Sequence, residues 1–307
     1  MDFKLDIDSL INFLSYYLHG KGRALKLSVI ALLAEGHLLI EDLPGVGKTT
    51  LAIAIAKCFG LNFARIQATS DLLPSDITGI SIYNKNTGEF EFHPGPIFNN
   101  IVLVDEINRT TPKTQSALLE AMGERQVTVE GKTYKLPQPF FVIATQNPIE
   151  LYGTFPLPEA QLDRFIMKIS IGYPPRSAEK EILKGGSKRE ELHNIKPFLS
   201  KDEIVSIQKQ VKEVYVSDKI TEYILDIVEA TRKSKYLYAG LSTRGALAII
   251  ATAKANAYIN KRDFVIPEDI KDLAEYVITH RVIFKEEYEG AKKEIIKSYL
   301  ENIKAPI

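Results

Sequence analysis

The sequence predicts an α/β domain built on a parallel sheet covered on both faces, followed by a smaller domain that is all-α. Short apolar runs bounded by polar or Gly/Pro signals recur at HLLIED (37 to 42), FARIQA (63 to 68), IVLVDE (101 to 106), FFVIAT (140 to 145) and IMKISI (166 to 171). Most of these five buried strands are separated by helical patterns, as crossover connections between parallel strands require. After Tyr173-Pro174-Pro175 the strand signal stops and helical periodicity takes over. A chain of 307 residues with 45% hydrophobic content is long enough to bury two cores.

The bulk numbers narrow the function classes. Lys plus Arg equals Asp plus Glu at 39 each, so no global charge calls for nucleic acid or an anionic membrane. The one cysteine, Cys58, reads as a small core residue rather than a redox or metal group. The start, MDFKLDIDSL, has no basic-then-apolar leader, and no uncharged run is long enough to span a bilayer. A cytoplasmic protein is expected.

The first strand runs into LIEDLPGVGKTT, residues 39 to 50, a glycine-punctuated turn opening a helix. In the loop Pro44, Gly45, Val46, Gly47, Lys48, Thr49 and Thr50, Gly45 and Gly47 can take backbone angles closed to other residues, so successive N–H groups from Gly45 onward can converge on phosphate oxygens. Lys48 supplies a point charge for the terminal phosphates, and the Thr49 hydroxyl can enter the oxygen shell of Mg2+. The pattern GxxxxGK(S/T) asks for glycine where this chain has Asp42.

Two segments interrupt the αβ alternation. Residues 79 to 92, GISIYNKNTGEFEF, and 126 to 135, QVTVEGKTYK, alternate apolar and polar around turn residues and read as β-hairpins. Inserted hairpins tend to lie where a scaffold touches something else. IVLVDE places Asp105 and Glu106 at the carboxyl end of a strand, the edge where open α/β sheets bind ligands. Asp105 can hold magnesium through water and Glu106 can deprotonate an attacking water, although paired acids at a strand end are often only solvated. FFVIATQN ends in Asn147, a neutral amide able to place that water. Arg164, in LDRF, is suited to neutralising charge on a departing phosphoryl group, or equally to a surface ion pair with Asp163. Arg244 opens a helix in LSTRGALAI.

Domain boundaries follow from these signals: a nucleotide-binding domain over 1–175, a charged linker over 176–199 and the all-α domain over 200–307. Ser200-Lys-Asp-Glu203 is a capping box, and Ile220, Tyr223, Ile224, Ile227 and Val228 form one helical face. Ser242 precedes an alanine-rich helix through about residue 260, and Pro267 opens a last long one.

Phosphate loop, Asp-Glu strand end, Asn147, LDRF and STR, in that order, resemble an AAA+ ATPase, and the stretches EDLPGVGKTTLA, RIQATSDLLPSDITG, IVLVDEINRTTPKTQSALLEAMGERQVTVEG and GTFPLPEAQLDRF are similar to the MoxR subfamily. The resemblance implies a three-layer αβα domain with a five-stranded sheet of order 5-1-4-3-2, a helical lid, and ATP held between neighbours in a ring, most simply a hexamer. It gives Lys48, Thr49 and Asp105 to ATP and Mg2+, Glu106 the role of catalytic base, Asn147 that of sensor 1, Arg164 that of an arginine finger and Arg244 that of sensor 2. The hairpins correspond to the helix-2 insert and the pre-sensor-1 hairpin, shared with magnesium chelatase and replicative helicase subunits. Near the adenine the matching segment is Leu18-His19-Gly20-Lys21, where Gly20 and Lys21 fit and His19 replaces an aliphatic residue. The implied activity is ATP hydrolysis coupled to chaperone-like remodelling of a client, with a von Willebrand factor A domain protein as the expected partner. A nucleotide-gated binding module with little hydrolysis and a nucleic-acid-dependent motor are the alternatives.

Overall fold

In the computed structural model, which describes residues 3–149, 153–186 and 188–306, the chain begins with α1 (Ile7–Ser15) and α2 (Gly22–Leu33). Asp6 caps α1 by accepting the N–H of Ser9. Then come β1 (Leu38–Glu41), α3 (Lys48–Cys58), β2 (Phe63–Gln67), the short α4 (Pro74–Thr78), and a hairpin of β3 (Gly79–Asn84) and β4 (Glu89–Pro94). β5 (Ile101–Asp105) and α5 (Pro112–Glu124) lead to a second hairpin, β6 (Gln126–Val129) with β7 (Lys132–Lys135), and then to β8 (Phe141–Gln146), α6 (Glu159–Leu162) and β9 (Met167–Ile169).

The five core strands pair in parallel in the order β2-β5-β8-β1-β9, which is the expected 5-1-4-3-2 read from the opposite edge. Successive strand residues face opposite sides of the sheet, and this period of two divides the core. Leu38, Ile40, Ile101, Leu103, Phe141 and Ile143 pack with α2 and α3, whereas Leu39, Val102, Val104, Val142 and Ala144 pack with Leu118, Leu119 and Met122 of α5. Both sets are buried, which is why the strands read as unbroken apolar runs.

The remaining helices are α7 (Arg176–Gly185), α8 (Lys201–Lys212), α9 (Asp218–Arg232), α10 (Thr243–Ile259), α11 (Pro267–Ile278) and α12 (Lys292–Asn302). Ser200 and Glu203 form the capping box on α8, and the Ser242 hydroxyl accepts the N–H of Gly245 at 3.1 Å to cap α10. The anticipated apolar face of α9 is buried.

Four expectations need correction. The 176–199 stretch is not a bare linker: α7 occupies its first half, and Phe198 and Leu199 donate N–H groups to the Cys58 carbonyl. The helical domain also holds a short antiparallel ladder, β10 (Leu237–Ala239) with β11 (Ile283–Phe284), too brief to leave a strand pattern. The last helix is α12, not α11. The first hairpin extends to Pro94, because Gly79 pairs with it at the base.

The two regions share one continuous core, α10 packing on α2, and are also joined by polar ties. Gln208 of α8 donates to the Leu32 carbonyl at 2.7 Å. Glu35 accepts both Arg125 at 2.8 Å and Lys212 of α8 at 2.5 Å. Arg281, with 2% of its side chain exposed, donates to Asp163 Oδ1 at 2.7 Å and to the carbonyls of Phe165, Ile166 and Val277. Desolvation pushes its guanidinium down to about 10, with Asp163 opposing. Among the described residues no helix is long and apolar enough to cross a membrane.

Candidate functional site

The carboxyl ends of β1, β5 and β8 bring the phosphate loop and the two acids together. Leaving β1, the chain turns through Pro44 and Gly45, both exposed, to Val46, whose buried side chain anchors the loop. Gly45 has φ +82° and Gly47, the N-cap of α3, has φ +99°. A Cβ at either would meet nothing within 4 Å, so it is backbone conformation and not crowding that selects glycine, and the concavity before the loop is open. Lys48, Thr49 and Thr50 form the first turn of α3, where unpaired N–H groups and the helix dipole favour an anion.

Lys48 is buried, and its ammonium donates to the loop's own carbonyls, Asp42 at 2.8 Å and Leu43 at 3.1 Å. Burial lowers its pKa, while Asp105, Asp42 and Glu106 act in the opposite direction. Asp105 has both carboxylate oxygens engaged: Thr145 donates to Oδ1 and Arg65 to Oδ2, each at 2.7 Å. Glu106 takes a left-handed conformation, φ 59° and ψ 51°, a strained setting for a non-glycine residue. Its N–H donates to the same Thr145 hydroxyl at 2.9 Å, and its carboxylate pairs with Arg109 at 2.8 Å. Thr145 therefore stands between the two acids and fixes both.

Asn147 lies just beyond β8, its side-chain oxygen accepting the N–H of Ile149 at 3.2 Å. Arg164 is not paired with Asp163. Its guanidinium lies against Gly123 of α5 and donates to the Leu119 carbonyl at 3.0 Å, while Asp163 faces Arg281 and, at 3.7 Å, Arg244. Arg244, in the first turn of α10, is 65% exposed along its side chain. The surface ion pair weighed for Asp163-Arg164 is thereby replaced by a lid contact.

A cavity of about 240 Å³ adjoins the loop, lined by Tyr17, His19, Lys21, Gly45, Gly47, Thr50 and Pro174 among others. Gly20, φ +70°, closes against Pro175, whose Cδ would sit 2.4 Å from a Cβ there. Lys21 lines the cavity but its ammonium is turned to the carbonyls of Ile171 and Gly172. A larger cavity, about 450 Å³, lies between the β9 edge and α11 and α12, lined by Glu41, Lys168, Glu275 and Glu289. It has no phosphate-binding turn, so the smaller one is the candidate site.

Arg65, Arg109, Thr145 and Arg281 escaped the sequence reading. Of these only Arg109, three residues after Glu106 in DEINR, stood close enough in sequence to be suspected.

Residues 37–167 match the model of the "ATPase family associated with various cellular activities (AAA)", and 229–298 match that of the AAA lid domain. The chain is 50% identical over 291 residues to the Bacillus subtilis protein YeaC, covering 94% of this chain and 91% of that one. It is 40% identical to Chaperone MoxR1 of Mycobacterium tuberculosis, over 86% of this chain and 72% of that protein. A crystal structure of a proposed ATPase from Cytophaga hutchinsonii superposes with a TM-score of 0.90 at 38% identity, covering 99% of this chain and 96% of that one. With its core order, its lid and its loop-to-acid arrangement, the chain belongs to the MoxR subfamily of AAA+ ATPases.

Proposed function

We propose that the protein hydrolyses ATP to ADP and phosphate in the cytoplasm as a ring of identical subunits, most simply a hexamer, and uses the cycle to remodel a partner protein, one with a von Willebrand factor A domain. The observation that carries this reading is the convergence of Lys48, Asp105 and Glu106 at adjacent strand ends, with Thr145 bonded to both acids. Lys48 exchanges its two loop carbonyls for phosphate oxygens. Glu106 accepts a proton from the water that attacks the γ-phosphorus as the bond to the β–γ bridging oxygen breaks. Asn147 orients that water.

The donor set suits Mg2+: the Thr49 hydroxyl and the Asp105 carboxylate are hard oxygen ligands, and the ion would neutralise phosphate charge when bound. Arg164 would leave the Leu119 carbonyl to meet the γ-phosphate of a neighbouring subunit, and Arg244 reports lid position. Support comes from the chaperone named among the relatives and from the first hairpin, where Ile80, Ile82, Tyr83 and Phe90 are exposed.

Glu106→Gln should retain ATP while turnover is nearly abolished, measured as phosphate release and as bound nucleotide after gel filtration. Unchanged steady-state hydrolysis would remove Glu106 from its role. Arg164→Ala should cost on the order of 10³-fold in rate. Mixing it with a Lys48→Ala protein should restore some activity if the arginine acts across a subunit boundary.

One observation favours a second reading, a nucleotide-gated binding module with slow hydrolysis: Arg65 and Arg109 already occupy Asp105 and Glu106. Phosphate release with and without a partner protein decides between the two.

A further inference from the structure

Where the phosphate-loop pattern expects glycine the chain carries Asp42, and its side chain is buried at 8% exposure. A carboxylate shut away from water persists only if its lone pairs are filled. The Ser170 hydroxyl donates to it at 2.8 Å, the N–H of Gly172 at 3.3 Å, and the N–H of Ile171 donates as well. On the other side Lys21, 7% exposed, donates to the carbonyl of Gly172 and, at 3.5 Å, to that of Ile171. A buried acid and a buried base thus grip the N–H and C=O groups of one dipeptide just past β9.

That dipeptide leads, two residues on, to Pro174 in the wall of the cavity beside the phosphate loop. Gly172, φ +66°, turns the chain, Pro174 lines the cavity opposite Gly45 and Gly47, and Pro175 seats against Gly20. The main-chain carbonyl of the same Asp42 holds the Lys48 ammonium at 2.8 Å. One residue therefore touches the loop's cation with its backbone and, with its side chain, the segment that leads to Pro174 in the cavity wall.

We propose that Asp42 is a positioning residue for nucleotide binding: with Lys21 it sets the 170–175 segment so that Pro174 stands preformed in the wall of the cavity, and its backbone parks Lys48 until phosphate arrives. The assignment rests on the ATPase reading above. Removing the carboxylate frees the wall but leaves the Lys48 contact, which is made by the main chain, so the loss falls on binding more than on chemistry. An asparagine keeps an acceptor for the two N–H groups, and the Ser170 hydroxyl can turn to accept from its amide.

The test is steady-state ATPase kinetics of the full chain together with calorimetric titration of ATP. Asp42→Ala should raise KM and Kd on the order of 10-fold, with kcat within about 3-fold, the size expected when charge-assisted hydrogen bonds that preorganise a binding wall are lost. Asp42→Asn should return KM to within about 3-fold of the parent. A merely architectural role would lower the melting temperature and the active fraction, reducing kcat with KM unmoved and no selective recovery in the asparagine variant. KM and Kd unchanged in Asp42→Ala, or kcat lost equally in both variants, overturns the proposal. If Asp42→Ala does not fold, Ser170→Ala carries the test through the same wall: a KM raised about 3-fold supports the bracket and an unmoved KM refutes it. A parent protein that neither binds nor hydrolyses ATP refutes the ATPase reading instead.

Discussion

Acidification tests how the strand that delivers the phosphate loop is held. His37 precedes β1 and is 4% exposed. Its Nδ1 accepts the N–H of Val142 in β8 at 3.1 Å, and its Nε2 faces the Met122 carbonyl of α5 at 3.1 Å. This pairing needs a neutral ring with the proton on Nε2, since a second ring proton would oppose the Val142 N–H. Burial pushes the imidazole down from 6.5 to about 4, against a smaller upward pull from the Met122 carbonyl. Above about pH 6.5 both folded and unfolded chains carry a neutral ring and the group contributes no pH dependence. As the pH falls from 6.5 toward 4 only the unfolded chain takes up the proton, so stability is lost across that window. At about 1.4 kcal/mol per pKa unit the full loss is about 3 kcal/mol, with about 2 kcal/mol gone by pH 5. His280, buried and likewise held well below its ordinary value, chiefly by burial, adds in the same direction. Urea unfolding followed stepwise from neutral to mildly acid pH reads this directly. His37→Asn, whose amide oxygen can accept in place of Nδ1 and does not titrate, should flatten the profile by His37's share. A wild-type profile that is flat over the interval, or a variant that falls as steeply as the parent, refutes the reasoning.

Thr145→Ala should lower ATP turnover on the order of 10-fold by releasing both acids, and Thr145→Ser should restore it; equal rates for all three proteins would dismiss Thr145 as an organiser. Gly20→Ala forces a Cβ to 2.4 Å from Pro175 Cδ at φ +70°, and should cost about 2 kcal/mol in urea unfolding. Phe92 of the first hairpin stacks on Tyr134 of the second, centroids 4.0 Å apart and planes 20° from parallel. A double-mutant cycle of the two alanine variants should return a coupling of about 1 kcal/mol, and zero coupling would mean the hairpins are independent.

The strands, the phosphate loop, both hairpins and the caps of α8, α10 and α11 were legible because each rests on local signals: period, glycine at positive φ, serine before a helix. What stayed hidden depends on contacts between distant segments. Thr145 looks like any strand threonine until β8 sets it beside the end of β5. Arg65 comes from an edge strand, and nothing in FARIQA hints that it reaches Asp105. Asp42 was visible as a departure from the glycine pattern, but its partners lie some 130 residues away at Ser170 to Gly172. Of the two roles open to Arg164, the ion pair with Asp163 was suggested by adjacent opposite charges, and the partner Asp163 has instead, the buried Arg281, lies 118 residues away.

The stacked rings of Phe92 and Tyr134 bear on mechanics. The strand carrying Tyr134 returns to the root of its hairpin, where Leu136 donates to the Arg125 carbonyl at 3.0 Å, and Arg125 grips Glu35, which also holds Lys212 in the lid. A load applied at the solvent-facing tip of the first insertion thus has an unbroken line of contacts, through both insertions and Glu35, to the end of α8 in the helical bundle.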